Sequence, residues 1–249
     1  YGFMMIDLDR FKAVNDTLGH PVGDRLLARV SDRLRSIMTD NELCGRLGGD
    51  EFAVVVKDAG DTHYMELLAS KIIEVLSRPY EVDQHTLFIG ASVGTAIGPR
   101  DGRTVEMLMR SADLALYRSK DQGGGAFTHY EPQLHVQAEE RRVMEMALRK
   151  AMKNDEFSLH YQPVVSADSG GIVGFEALLR WNNPEFGSVS PAKFVPLAEE
   201  ARLIVPIGEW VLRTACKEAM RWPSTVKVAV NVSADQLTEV NFLSMVVSA

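Results

Sequence analysis

The feature that most constrains how this chain folds is the heptapeptide Arg46-Leu47-Gly48-Gly49-Asp50-Glu51-Phe52. It lies between two runs that read as strands, residues 42–47 and 52–57. Two glycines followed by two acids make a hairpin turn, because glycine tolerates positive φ and lets another backbone or a ligand come close. The same residues put two carboxylates at an exposed tip. Such a pair is either solvated turn decoration or a holding place for a hard cation such as Mg²⁺. The heptapeptide alone does not choose between them.

At 249 residues there is room for one large domain or two ordinary ones. A content of 46% hydrophobic and 24% charged residues is that of a soluble globular protein. The net charge of −7 offers no basic field for nucleic acid or an anionic membrane. An acidic chain that handles phosphates therefore needs a metal ion and a few placed cations. Cys44 and Cys216 are far apart and in no metal-ligand spacing. They read as reduced, buried small hydrophobes of a cytoplasmic protein. No apolar run reaches bilayer length and no signal peptide is present, so a membrane could be reached only through segments outside this sequence. The chain opens without Met, directly in a strand-like run, and stops in the apolar stretch 242–249. It is expected to be a piece of something longer.

Residues 1–6 form a short apolar run, as in a strand buried on both faces. It ends in Asp7-Leu8-Asp9, whose two acids point to one side at strand spacing. Asp9 suits the N-cap of the following helix, residues 11–16; Asp7 is harder to explain that way. Residues 17–24 read as a Gly/Pro-punctuated loop. A longer helix runs from Asp24 to about Met38, with Leu26, Leu27, Val30, Leu34 and Ile37 at helical period. Asp24 there is a first-turn acid favoured by the helix dipole, and His20 is structural. After the glycine hairpin come a helix over 61–77, a second hairpin from 79–82 and 87–97, a helix over 104–120 closed by Gly123-Gly124-Gly125, and an edge strand over 126–130. That order predicts an α/β or α+β layer with a largely antiparallel sheet.

Glu131-Pro132 marks a boundary. Residues 133–153 read as a charged helix, either a connection or a partner surface. Strands follow at 157–165, 171–180 and 226–232, with helical sequence over 191–222 between the last two. Strands separated by helical crossovers suggest parallel βα units. About three strands are too few for a complete eight-unit barrel.

Three pieces then combine: Asp7-Leu8-Asp9-Arg10-Phe11-Lys12, Asn15-Asp16-Thr17-Leu18-Gly19-His20 with Gly23-Asp24, and the glycine heptapeptide. Together they resemble the GGDEF family of diguanylate cyclases over residues 1 to about 130. The resemblance implies a sandwich related to nucleotide cyclases and the polymerase palm. It implies that two GTP molecules condense to cyclic di-GMP with release of two pyrophosphates. Each half-site holds one GTP, so a homodimer is required. Mg²⁺, or Mn²⁺, would be held by Asp7, the Leu8 carbonyl and Asp50. Glu51 would be a further ligand or the general base. Asn15 and Asp24 match guanine-reading positions, where an Asp accepts from N1–H and the 2-amino group that adenine cannot supply. Lys12, with the amides near Arg10 and Phe11, would touch the β- and γ-phosphates, and Lys120 matches a phosphate-binding lysine. No Walker A pattern occurs in the sequence, which argues against a P-loop NTPase.

The sequence departs from the family pattern in three places. Gly124 stands where the family usually has an arginine, which should weaken phosphate binding without abolishing it. The family's first helix would precede Tyr1. Thr39 and Glu42 stand where many members carry the Arg-x-x-Asp that binds product, so inhibition through that place is expected to be weak or absent.

The second half also carries specific pieces: Tyr161-Gln162-Pro163, Glu176-Ala177-Leu178-Leu179-Arg180-Trp181, residues 191–200, and Val230-Asn231-Val232-Ser233. These resemble the start of an EAL phosphodiesterase, a TIM-like barrel that linearises cyclic di-GMP with two metal ions. Glu176 and Asn231 match its metal ligands, and Gln162 and Arg180 its cyclic di-GMP contacts. Later pieces of that family's pattern lie beyond Ala249, so this stretch by itself is not expected to hydrolyse cyclic di-GMP. The resulting division is a GGDEF domain at 1–131, a connecting helix at 132–153 and an incomplete EAL barrel at 154–249. Two readings remain: an active cyclase in a tandem, or a GTP-binding regulatory module for an attached phosphodiesterase. A dead scaffold fits less well, because the signature acids are intact.

Overall fold

The opening apolar run forms β1 (Gly2–Asp9), with residues 2–8 all buried. In this computed structural model, residues 1–59 and 62–249 are described, and the chain divides into two units, Tyr1–Glu139 and Glu140–Ala249. The first unit holds α1 (Phe11–Leu18), α2 (His20–Ser36), β2 (Glu42–Gly48), β3 (Glu51–Val56), α3 (Thr62–Leu76), β4 (Tyr80–Val82), β5 (His85–Leu87), β6 (Gly90–Ile97), α4 (Val105–Asp121) and β7 (Phe127–His129). Five strands make one sheet in the order β2-β3-β1-β6-β7. Every pairing is antiparallel except β6 with β7, so the largely antiparallel sheet is found as expected.

Strand alternation explains the two sides of this sheet. Met4, Ile6 and Leu8 enter the larger core with Phe52, Val54 and residues of α2 and α3. Phe3 and Met5 enter a second core with Ala53, Ala112 and Leu116, under α4. Asp7 is the next member of that second row. Gly94 lets α4 come this close: a Cβ there would lie 2.0 Å from the Ala112 carbonyl oxygen.

Several expectations need correction. The long helix starts at His20, not Asp24, with Pro21 in its first turn, where a missing N–H costs nothing. The loop over 17–24 is thus mostly helix. The second hairpin is β4 with β5 alone, a separate two-stranded sheet; residues 90–97 instead join the central sheet. The helix expected from Asp61 is seen from Thr62, and Asp61 itself lies outside the described residues. Cys44 and Cys216 are free thiols but only half-buried.

Helix α5 (Pro132–Ala151) contains the division between the units. The second unit continues with β8 (Phe157–Val165), β9 (Ile172–Asn183), β10 (Gly187–Val189), α6 (Pro191–Glu200), α7 (Ile204–Ala219), β11 (Lys227–Val230) and the short α8 (Ala234–Leu237) and α9 (Phe242–Ser248). β9 is its centre. β8 pairs antiparallel along one edge, while β10 and the parallel β11 share the other. The parallel β9–β11 pair, joined through α6 and α7, is the crossover the pattern predicts. β10 was not expected: it is a three-residue return strand with Gly187 at its start. The helical stretch 191–222 is two helices, parted by a turn at 201–203. Among the described residues no helix is long and apolar enough to cross a membrane.

Candidate active site

Asp7 lies two residues before the end of β1 and is only 7% exposed. Its register partner on β3 is Glu51, and its partner on β6 is Ser92. Glu51 continues the row of Ala53 and so shares the α4 side of the sheet with Asp7. Asp50 is in the turn beside them, and its carbonyl accepts from Leu8 N at 3.3 Å. The turn holds Gly49 at φ 53 and is clasped by Arg46, whose Nε donates to the Gly49 carbonyl at 2.9 Å. A β-bulge between Arg46 and Gly48 accommodates that clasp. Arg46 escaped the sequence reading, although its place three residues before Gly49 is the available signal.

From the other direction, α4 brings Lys120 within 2.6 Å of Asp7 Oδ2. Burial pushes the Asp7 carboxyl up, and the negative charges of Asp50 and Asp9 push it further. The hydrogen bond and charge of Lys120 oppose this without cancelling it. A cation relieves the negative charge concentrated here, and the Lys120 ammonium supplies one.

That donor set fits a hard divalent cation. Among the described residues, no three His, Cys, Asp or Glu side chains form a ready-made cage. Mg²⁺ does not need one: it is usually held by one or two carboxylates and completes its shell with waters and substrate phosphates.

The remaining residues of the first unit fall around this centre. Arg10 takes the N-cap position of α1 at φ 65, and among the described residues no side-chain hydrogen bond caps that first turn. The expectation that Asp9 caps it is therefore incorrect. Asp9 instead accepts from Ser92 Oγ at 2.7 Å and from Gly125 N at 2.9 Å. Phe11 is buried in the core, so only its backbone could meet a phosphate; Lys12 is exposed. Asn15 reaches across to α2, where a Cβ on Gly23 would lie 1.9 Å from Asn15 Oδ1. That oxygen is buried and has no hydrogen-bond partner among the described residues. The exposed Asp24 follows Gly23, in the second turn of α2, so the helix-dipole reading of Asp24 as a first-turn acid also fails. Gly23 is thus what allows Asn15 and Asp24 to share one corner, a role the sequence reading did not give it. Glu42, at the product-binding place of the family pattern, is engaged by Thr39 and Tyr64.

In the second unit, Asn231 Nδ2 donates to Glu176 Oε1 at 2.7 Å. Gln162 lies opposite Glu176 in the β8–β9 register. Three of the four candidates there are thus brought together. Arg180 is four residues further along β9 and donates to its neighbour's carbonyl, Leu179 O, at 2.9 Å.

Comparison with known proteins now decides the family. Residues 1–126 match the sequence model of "Diguanylate cyclase, GGDEF domain". The chain belongs to the GGDEF family. Residues 145–249 match the EAL domain, so the GGDEF–EAL order read from the motifs holds. The bifunctional diguanylate cyclase/cyclic di-GMP phosphodiesterase MucR of Pseudomonas aeruginosa is 40% identical over all of this GGDEF–EAL chain and 37% of its own length. The cyclic di-GMP phosphodiesterase NbdA of the same organism is 38% identical, over 94% of this chain and 30% of its own. The chain thus spans roughly a third of these curated relatives. Among solved structures, the GGDEF domain of YfiN from Pseudomonas aeruginosa is 32% identical and aligns with a TM-score of 0.54, covering 55% of this chain and 81% of that one.

Proposed function

We propose that the first unit is a diguanylate cyclase domain, condensing two GTP to cyclic di-GMP and two pyrophosphates, in a tandem whose full-length EAL part hydrolyses cyclic di-GMP to linear pGpG. The observation that carries this is the Asp7–Lys120 ion pair at the end of β1, beside Asp50 and Glu51. An acid row with one removable cation is suited to exchange that cation for a metal-bound triphosphate. The domains are 1–131 for the cyclase, 132–153 for the connecting helix and 154–249 for the EAL portion.

Asp7, the Leu8 carbonyl, Asp50 and Glu51 would hold Mg²⁺ or Mn²⁺, which when bound neutralises the triphosphate and favours ionisation of the attacking hydroxyl. Asp24 and Asn15 read guanine. Lys12, the backbone at Arg10 and Phe11, and Lys120 released from Asp7 hold the phosphates. In a homodimer, the 3′-oxygen of each GTP attacks the α-phosphorus of the other, and pyrophosphate leaves. Glu51 acts as ligand or takes the hydroxyl proton. In the EAL portion, Glu176 and Asn231 hold metal, and Gln162 and Arg180 contact cyclic di-GMP.

A second reading makes the first unit a GTP-binding module that regulates the attached phosphodiesterase. It is favoured by Gly124, which supplies no cation where the family pattern has arginine. Incubating the full-length protein with GTP and Mg²⁺, and separately with cyclic di-GMP, separates the two. Product made from GTP and lost in Asp50→Ala supports the cyclase. GTP that accelerates cyclic di-GMP hydrolysis, without being consumed, supports the regulatory module.

A further inference from the structure

The segment that follows Lys120 turns on three glycines. Gly123, Gly124 and Gly125 are consecutive and all at positive φ, 110°, 73° and 65°. The first two amides close the end of α4, Gly123 N on the Lys120 carbonyl and Gly124 N on the Ser119 carbonyl. The third leaves the helix and donates to Asp9 Oδ2 at 2.9 Å and to Ser92 Oγ at 3.2 Å. Ser92 Oγ in turn donates to Asp9 Oδ1 at 2.7 Å.

The carboxylate of Asp9 is held in a slot. A Cβ on Gly90 would stand 2.7 Å from its Oδ2, and one on Gly124 would stand 3.0 Å from its Oδ1. Only glycine on both sides lets the acid reach the Gly125 amide. Asp7 and Asp9 face the same way along β1, one taking the side chain of Lys120 and the other the backbone five residues on. The first contact is exchangeable, being an ion pair to a 41% exposed lysine. The second is a charged acceptor on a fixed backbone donor, the stronger kind of hydrogen bond.

We propose that Asp9 is a positioning residue that latches the C-terminal end of α4 to β1, so that Lys120 stays over the phosphate site when it lets go of Asp7. This deepens the GTP-binding reading above and rests on it. Asp9 does so by hydrogen bonding, not as a metal ligand. An asparagine can replace it, accepting from Gly125 N and donating to the Ser92 hydroxyl, whereas alanine cannot.

The test uses the whole chain with a non-hydrolysable GTP analogue and Mg²⁺, reading affinity calorimetrically. Asp9→Ala is expected to raise Kd five- to ten-fold and Asp9→Asn less than two-fold. In a Lys120→Ala background, Asp9→Ala should add less than two-fold, since the latch acts through that lysine. An Asp9→Asn variant as weak as Asp9→Ala would make the charge the essential property and overturn the latch. So would an Asp9→Ala effect that persists in full without Lys120, or an Asp9→Ala variant that binds like the wild type. If Asp9→Ala does not fold, Ser92→Ala, which removes one donor to Asp9, is expected to raise Kd two- to five-fold, and an unchanged Kd would count against the proposal. A wild-type chain that binds no analogue defeats the GTP reading itself, which sets that failure apart from failure of the latch alone.

Discussion

Asp7 and Glu42 are both acids buried in the sheet of the first unit, 7% and 4% exposed, and they meet burial in opposite ways. Glu42 opens β2 and collects neutral donors: Thr39 N and Thr39 Oγ1, each at 2.7 Å, and the Tyr64 hydroxyl. Burial pushes its carboxyl up, but the hydrogen bonds outweigh burial and hold it below the usual value. Asp7 sits instead among other acids, is pushed up by burial and by their charge, and leans on one half-exposed lysine. A buried charge satisfied by fixed neutral groups has nothing to exchange. One balanced by a mobile cation can trade it for another. The comparison separates an acid that serves the fold from one that serves a site.

The largest effects should come from the site acids. Asp7→Asn and Asp50→Ala are each expected to lower cyclic di-GMP formation by about 10²-fold or more, the scale for removing one preorganised charge from a transition state. Asp7→Asn should not lower the urea midpoint, because it removes a charge whose burial is unfavourable. An Asp7→Asn chain that turns over normally, or one that unfolds more readily, would erase the distinction from Glu42. Next in size, Lys120→Ala should raise the KM for GTP about 10- to 100-fold, the scale of one charged hydrogen bond. A wild-type KM in that variant would leave the lysine as a structural partner of Asp7 only.

Glu42 should show the reverse pattern. Glu42→Ala removes the shared acceptor of three donors, Thr39 N, Thr39 Oγ1 and the Tyr64 hydroxyl, and is expected to cost about 1–3 kcal/mol in urea unfolding, the scale of hydrogen bonds to a charged group, with turnover per folded molecule within about two-fold. Added cyclic di-GMP should inhibit weakly or not at all through this place, since Thr39 and Tyr64 already occupy the carboxylate. Low-micromolar inhibition that disappears in Glu42→Ala would show that the cluster opens to ligand.

What the sequence made legible follows from how local each signal is. The glycine hairpin, β1, α4 and β8 stand close to where turn chemistry and periodicity put them, because each is decided within about ten residues. The start of α2 is not legible locally because Gly19 and Pro21 read as loop punctuation, although proline in a first turn also starts helices. The strand expected over 87–97 broke at its beginning, where Phe88 is 71% exposed and the chain passes from the β4–β5 ribbon into the central sheet. The candidate site was legible only through the motif resemblance. Nothing local ties Lys120 to Asp7, and the Gly125–Asp9 contact spans 116 residues. The role of Asp9 is hidden for the same reason: an acid before a helix is a good cap by local rules, and only the tertiary path of the glycine turn claims it first.

The smallest expected effect is the pH dependence that Glu42 gives to stability. Its carboxyl is held below 4.5 in the folded chain, while the unfolded chain has the ordinary value. Between the two the unfolded state binds more protons, so stability rises with pH there. The contribution is therefore complete above about pH 4.5 and is lost as pH falls through the lower, folded value. Urea midpoints of the wild type and Glu42→Gln should differ most at neutral pH and converge as the pH is lowered below 4.5. Glutamine keeps one acceptor for Thr39 or Tyr64, so the difference isolates the charge and not the whole cluster. If the two curves run parallel through the acid range, the neutral donors do not favour the ionised form. Glu42 would then be a buried acid under the same burden as Asp7, and the contrast between them would rest on Lys120 alone.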